Sequence, residues 1–182
     1  VSPIMTDSGL TCDVPETHFI WQSEVEIDPS ANTSLSGLYM SNGMFCTQCE
    51  AEGFRRITYY PDRPDVMAPF DVTIHSDLPY ALSNGEPLGR EGDTSRWQDP
   101  WPKPAYLFAL VGGTFEIFSD HFTTASGKPV DLNIYVRDGD QDKCAFAMEA
   151  LKISMAWDQQ VYGREYDLSV FNIVAVDDFN MG

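Results

Sequence analysis

The stretch from Gly43 to Gly53, GMFCTQCEAEG, sets Cys46 and Cys49 in a CxxC spacing, follows them at once with Glu50 and closes on a glycine. Two thiolates converging across a tight turn can form half of a zinc site or work as a redox pair. A carboxylate in such a turn can instead accept hydrogen bonds from an ammonium group and supply its opposite charge. The thiol chemistries lack their remaining parts. A structural zinc site needs two more ligands, yet there is no second CxxC and no HxxxH, and His18, His75 and His121 stand isolated. A redox pair places its first cysteine at a helix N-terminus, whereas the text around Cys46 reads as loop and strand. Cys46 and Cys49 are therefore read as small side chains packed in a turn. No Gly-rich phosphate loop, nucleophile elbow or HExxH occurs, so the motifs define no self-contained catalytic centre.

The elements that must position these residues are mainly β as far as about residue 118. HFIWQSEVEI (18–27) and FDVTIHS (70–76) alternate apolar and polar side chains, and RRITYY (55–60) is β-branched and aromatic, so each is predicted as a strand. Turn clusters rich in Pro, Gly, Asn and Asp separate them: DPSANTS, SNGM, YPDRPD, SNGEP and DPWPKP. Short strands at this spacing predict an antiparallel sandwich or curved sheet. YLFALVGGTFEIF (106–118) reads as a strand buried on both faces, with Gly112 and Gly113 marking a bulge or bend. Beyond it the pattern changes. DLNIYV (131–136) predicts a strand, Met148, Leu151, Met155 and Tyr162 recur near helical spacing, Gly163 supplies a stop, and YDLSVFNIVAVDDF (166–179) predicts a buried strand. Strand, helix, strand opens an α/β or α+β unit. The division expected is residues 1–118 and 119–182.

The chain has 182 residues, 43% of them hydrophobic, enough for one sizeable domain or a domain and part of another. Eleven basic against 28 acidic residues give a net charge of −17, which repels nucleic-acid phosphates and anionic lipid and attracts cationic partners. No apolar run approaches the roughly 20 residues that span a bilayer. Four scattered cysteines suit a reducing compartment, and a cytoplasmic location is expected. The chain begins on Val1 and stops directly after an apolar run, and it reads as cut from something longer.

Glu50 alone would pass for a solvated loop glutamate. Its surroundings carry more. GLYMSNGMFCTQCEAEGFRRITYYPDRPDVMAPFDVTI, then WQDPWPKPAYLFALVGGTFE, and the closing VFNIVAVDDFNMG resemble the gluzincin family of zinc-dependent aminopeptidases, in its bacterial alanyl aminopeptidase branch. The resemblance runs from about Gly37 to Gly182, with several long strings in the same order. It implies a saddle-like antiparallel β-sandwich N-terminal domain, followed by the strand-helix-strand start of a thermolysin-like α+β catalytic domain. It implies a metalloaminopeptidase that removes N-terminal residues from peptides, with zinc in the full-length enzyme. In the family the HExxH zinc helix follows a Met-Gly-Ala-Met-Glu-Asn segment, of which Met181 and Gly182 are the first two residues here. The metal ligands and catalytic residues are therefore expected outside this chain, which alone should be inactive and bind no zinc.

By position, the resemblance assigns Glu50 to the substrate's free α-amino group and places Gln48 and Met181 in the pocket for the first residue. Gly182 becomes the first glycine of the exopeptidase motif. It also implies a cis peptide bond at Glu50–Ala51. An α-amino group, with a pKa of about 8, is largely an ammonium near neutrality, so a fixed carboxylate selects free N-termini over internal peptide bonds. The partners expected are such peptides and the rest of the catalytic domain, with neither nucleic acid nor membrane. Arg55 and Arg56 can orient Glu50 or pair with Asp62 and Asp65, and are read as structural ion-pair formers, with Met148 and Met155 as core. The rival reading is a stand-alone β-sandwich module binding peptide or carbohydrate, for which Trp97, Trp101 and Tyr106 are the candidate platform, against plain aromatic packing.

Overall fold

The computed structural model describes residues 3–7, 9–14 and 17–180. A small hairpin, β1 (Ile4–Thr6) and β2 (Gly9–Thr11), precedes three larger sheets. The first is four-stranded and antiparallel, ordered β3 (Gly37–Ser41), β4 (Met44–Gln48), β9 (Leu110–Gly113) and β6 (Tyr80–Ser83). The second is ordered β5 (Met67–His75), β8 (Thr94–Pro104) and β7 (Glu86–Glu91), also antiparallel. In the third, β11 (Pro129–Val136) lies between antiparallel β10 (Glu116–Thr123) and parallel β12 (Val170–Val174), and helix α1 (Ala145–Tyr162) makes the crossover that a parallel pair requires. The fold is mostly β with one α-helix among the described residues, as the residue patterns predict.

Hydrophobic burial explains how the layers meet. Met44, Leu82, Trp97, Phe115 and Tyr135, one from each of five places in the three sheets and their joins, form one core cluster. The Trp97 indole N–H donates to the Ala81 carbonyl at 3.0 Å, so the largest of these side chains is buried with its polar atom satisfied. A second cluster seats α1 on β11: Val130, Leu132, Ile134 and Val136 against Met148 and Met155, with Leu151 packed beside them. The spacing of those three helix residues is one apolar stripe. Gly163 ends the helix at φ 64°, where its N–H reaches the Gln159 carbonyl and no Cβ opposes the left-handed turn. The opposite side of α1 leaves Phe146, Ile153, Trp157 and Val161 exposed, and Tyr162, on the stripe's side but in the helix's last turn, is exposed as well and does not join the core.

Several segments depart from the sequence pattern. Residues 18–27 alternate like a strand but form none, and Ile20 and Phe19 face solvent. Residues 55–60, β-branched and aromatic, are not a strand: Phe54–Arg56 is a 3-10 turn whose ring points into a core of its own. DPWPKP, predicted as a turn, continues β8 to Pro104. Its prolines are tolerated because β7 pairs with β8 only as far as Gln98, so the strand beyond is bonded on one side. Gly112 and Gly113 keep regular register with β6 and make no bulge. Leu132, with 0% exposure between α1 and the sheet, tests the second core. Leu132→Ala is expected to lower unfolding stability by about 2–5 kcal/mol in urea titrations, and a loss below 1 kcal/mol would contradict that packing.

Candidate functional site

Strand β4 delivers the opening motif. Cys46 faces inward from it, paired across the ladder with Tyr39 of β3, and Cys49 follows the strand's end at 2% exposure. Both thiols are free and buried, in the packing role expected of them. Burial pushes the Cys49 thiol up to about 12, with the Asp62 carboxylate adding to the shift, and burial also raises Cys46 and the Tyr39 phenol. None is a thiolate or phenolate near neutral pH.

Between Gln48 and Gly53 the chain turns over a small aromatic core. Cys49, Phe54 and Ala105 are its buried members, with Tyr60, Phe70 and Phe108 packed around the Phe54 ring. Phe54 meets Tyr60 and Phe108 edge-on, at centroid distances of 5.2 and 5.1 Å. The Gly53 N–H donates to the Cys49 carbonyl at 2.8 Å and closes the turn. Here only glycine fits, since a Cβ at Gly53 would lie 2.4 Å from the Gln48 carbonyl oxygen and 2.8 Å from Cys49 Cα. Gln48 is 4% exposed, and its Oε1 accepts the Glu50 N–H at 2.6 Å. The Glu50–Ala51 peptide bond is cis.

This arrangement points the two motif polar residues differently: Gln48 is buried bracing the turn, and Glu50 is exposed upon it. Arg55 does not reach Glu50. Its backbone N–H and its Nε bond the buried Asp62 carboxylate at 2.9 and 3.3 Å, its Nη2 donates to the Asp62 carbonyl at 2.7 Å, and it also pairs with Glu52. Arg56 donates to Ser34, while Asp65 is taken by Arg63. Among the described residues the Glu50 carboxylate has neither an ion pair nor a hydrogen bond. Chemically it is a braced, exposed anion with its valence for a cation unused.

Met181 and Gly182 lie outside the described residues, but the segment leading to them is placed. After β12, residues 175–180 run beside β3: the Tyr39 hydroxyl donates to the Asp178 carbonyl at 2.7 Å, and Asn180 reaches the Leu35 carbonyl at 3.2 Å. Strand β3 is hydrogen-bonded in turn to β4, with Gly37 opposite Gln48. The segment entering Met181 and the turn carrying Glu50 thus flank one strand pair. No signal within either stretch alone announces this contact. As for a metal, no three His, Cys, Asp or Glu side chains converge among the described residues, so these residues do not fit a zinc centre. Trp97 is 7% exposed in the core and is no part of a surface platform, although Trp101 is exposed. Among the described residues no helix is long and apolar enough to cross a membrane.

Residues 7–107 match the Peptidase M1 N-terminal domain, and the chain belongs to that family. It is 53% identical over 171 residues to Aminopeptidase N of Caulobacter vibrioides, covering 90% of this chain and 20% of the relative. To Aminopeptidase N of Escherichia coli it is 54% identical over 165 residues, covering 86% of this chain and 19% of that protein. Its backbone resembles a solved aminopeptidase A of Legionella pneumophila, described in complex with aspartic acid, with TM-score 0.77 and 38% identity over 83% of this chain and 19% of that one. The chain therefore spans about one fifth of the length of these relatives.

The turn and its thiols generate two expectations. Iodoacetamide at pH 8 should label the half-buried Cys12 of the native protein well before Cys46, Cys49 and Cys144, as mass spectrometry would show; equal rates would refute the burial of those thiols. At higher pH the unfolded chain releases the Cys49 proton first, because the native thiol holds it from the ordinary value of 9.0 up to about 12. Stability contributed by that protonated thiol is whole below pH 9 and falls as pH rises from 9 toward 12, and Cys49→Ser should flatten this alkaline slope in urea titrations.

Proposed function

We propose that the chain is the N-terminal portion of a zinc-dependent aminopeptidase that removes N-terminal amino acids from peptides, and that it supplies contacts to the substrate's α-amino group and first side chain. The observation that carries this reading is the Glu50 carboxylate, exposed on a turn braced by Gln48 while the neighbouring arginines are engaged elsewhere. An ammonium is the partner such a carboxylate accepts with both charge and hydrogen bonds. Family membership and the names of the relatives support peptide hydrolysis as the chemistry of the whole protein.

In this reading Gln48 acts at the pocket chiefly by holding the turn, and Met181 and Gly182 contribute to the first-residue pocket. Zinc belongs to residues beyond these 182, as do the groups that carry out hydrolysis. Residues 1–118 constitute the β-rich N-terminal domain and 119–182 the opening of the catalytic domain, with β10 starting just ahead of that division. The setting proposed is cytoplasmic, on peptides with free N-termini.

Kinetics of the full-length enzyme test the role of Glu50. Glu50→Gln keeps the shape but removes the charge, and should raise KM for an alanyl anilide roughly tenfold to a hundredfold, with kcat/KM falling in step. A substrate carrying hydrogen in place of the α-amino group should be poor for both enzymes and insensitive to the substitution. Unchanged KM would reject the assignment. The isolated 182 residues should not hydrolyse the anilide, and EDTA-sensitive turnover by them would overturn the placement of the zinc centre elsewhere.

A further inference from the structure

Two consecutive acids beyond β12 are bonded to the N-terminal sheet in a way the amine-site reading leaves unused. Asp178 is held at three atoms: its backbone N–H donates to Ser41 Oγ at 2.9 Å, Ser41 Oγ donates back to its carboxylate at 2.9 Å, and its carbonyl accepts the Tyr39 hydroxyl at 2.7 Å. Asp177 lies between two cationic or amide donors, taking Asn42 Nδ2 at 2.8 Å and Arg137 Nη1 at 2.8 Å. Tyr39 and Ser41 are wholly buried, at 0% exposure. Apolar anchoring of this segment is slight by comparison: Val176 packs on the central core, and Phe179 is left 45% exposed.

We propose that Asp178, through Ser41 and Tyr39, is a positioning residue that sets the distance between the Glu50 turn and the segment entering Met181, and so governs capture of the substrate amine. The inference rests on the reading of Glu50 given above. Its physical basis is the shared strand. Ser41 and Tyr39 belong to β3, whose ladder to β4 runs from Ser41 opposite Met44 to Gly37 opposite Gln48. The donors that hold Asp178 sit on the strand next to β4, Tyr39 opposite Cys46 and Ser41 opposite Met44, so they act on the Glu50 turn along the ladder, not by direct contact with Gln48. Hydrogen bonds tolerate only a few tenths of an ångström of drift and a narrow range of angles, whereas apolar contacts allow sliding. A segment anchored chiefly by such bonds takes its register from them. Misplacing one wall of a binding site by about 1 Å can cost up to a hundredfold in rate.

The test uses the full-length enzyme, with active sites titrated so that partial unfolding does not count as lost catalysis. Ser41→Ala and Asp178→Ala should each raise KM for an alanyl anilide roughly tenfold, with kcat changed less. Asp178→Asn, which keeps an oxygen for the Ser41 hydroxyl, should restore most of the loss. Because both residues act on one site, Ser41→Ala combined with Glu50→Gln should cost clearly less than the product of the two separate factors. If Asp178→Ala yields no folded enzyme, Tyr39→Phe, which removes one bond and keeps the ring, carries the same expectation. Unchanged KM with lowered thermal stability, or factors that simply multiply, would overturn the positioning role. If Glu50→Gln alone has no effect, the amine-site reading and this inference fall together; if only Glu50→Gln is impaired, the inference alone falls.

Discussion

Trp97 is the side chain on which the arrangement of sheets most depends. An indole of that size supplies much of the apolar area that draws layers together, but its N–H must find an acceptor before it can be buried. The acceptor is a backbone carbonyl of β6, Ala81, in a different sheet from the β8 strand that carries Trp97. Burial and hydrogen bond together therefore fix how β8 meets the four-stranded sheet. Phe115 and Tyr135 complete the contact edge-on, 5.8 Å apart, and bring in the third sheet through β11. One cluster thus sets three sheets relative to one another, and everything mounted on their edges inherits that placement.

The turn at Glu50 has a second, local layer of restraint. Its floor is the Phe54 cluster and its closure the Gly53–Cys49 hydrogen bond, while Gln48 reaches forward to the Glu50 N–H from a buried position. The two hydrogen bonds are short-range, whereas the Phe54 floor reaches Ala105 and Phe108, and all three restrain the backbone that carries the carboxylate. A group immobilised in advance gives up less entropy when a ligand arrives, so a braced anion binds better than the same anion on a loose loop. The protein's net charge of −17 adds a field that favours cations, yet a diffuse field selects no particular amine. Selection needs a located charge, and the turn fixes the backbone from which the Glu50 carboxylate projects.

What the residues alone revealed follows from the range of the forces involved. FDVTIHS, DLNIYV and the apolar stripe of Met148, Leu151 and Met155 became β5, β11 and α1 because alternation and helical spacing record which face is buried. HFIWQSEVEI carries an equally good alternation and forms no strand, since pairing needs a neighbour as well as a pattern. RRITYY has strand-forming residues, but Phe54 just before it is drawn into a core and bends the backbone into a 3-10 turn. DPWPKP shows the reverse: one unpaired edge is enough to admit three prolines to a strand. At the site, the burial of Cys46 and Cys49 could be inferred from the ligands they lack. The bracing of Glu50 could not, because the only sign of it is a glutamine two residues away.

The contacts between the two ends of the site are of another order. Tyr39 and Asp178 are 139 residues apart, and Ser41 and Asp178 are 137 apart. Nothing periodic links them, for a hydrogen bond between distant residues leaves no trace in either local pattern. Such contacts exist only when all three sheets are already in place, since β12 reaches β3 by way of β11 and the central cluster. They are thus consequences of the packing around Trp97. That dependence has a physical corollary. The hydrogen bonds of the Glu50 turn, Glu50 to Gln48 and Gly53 to Cys49, have partners within a few residues, but its aromatic floor draws in Ala105 and Phe108, and the seating of residues 175–180 depends on contacts more distant still. The Glu50 turn and the 175–180 segment therefore both take their final geometry from long-range packing, the turn through Phe54 and the segment through Tyr39 and Ser41.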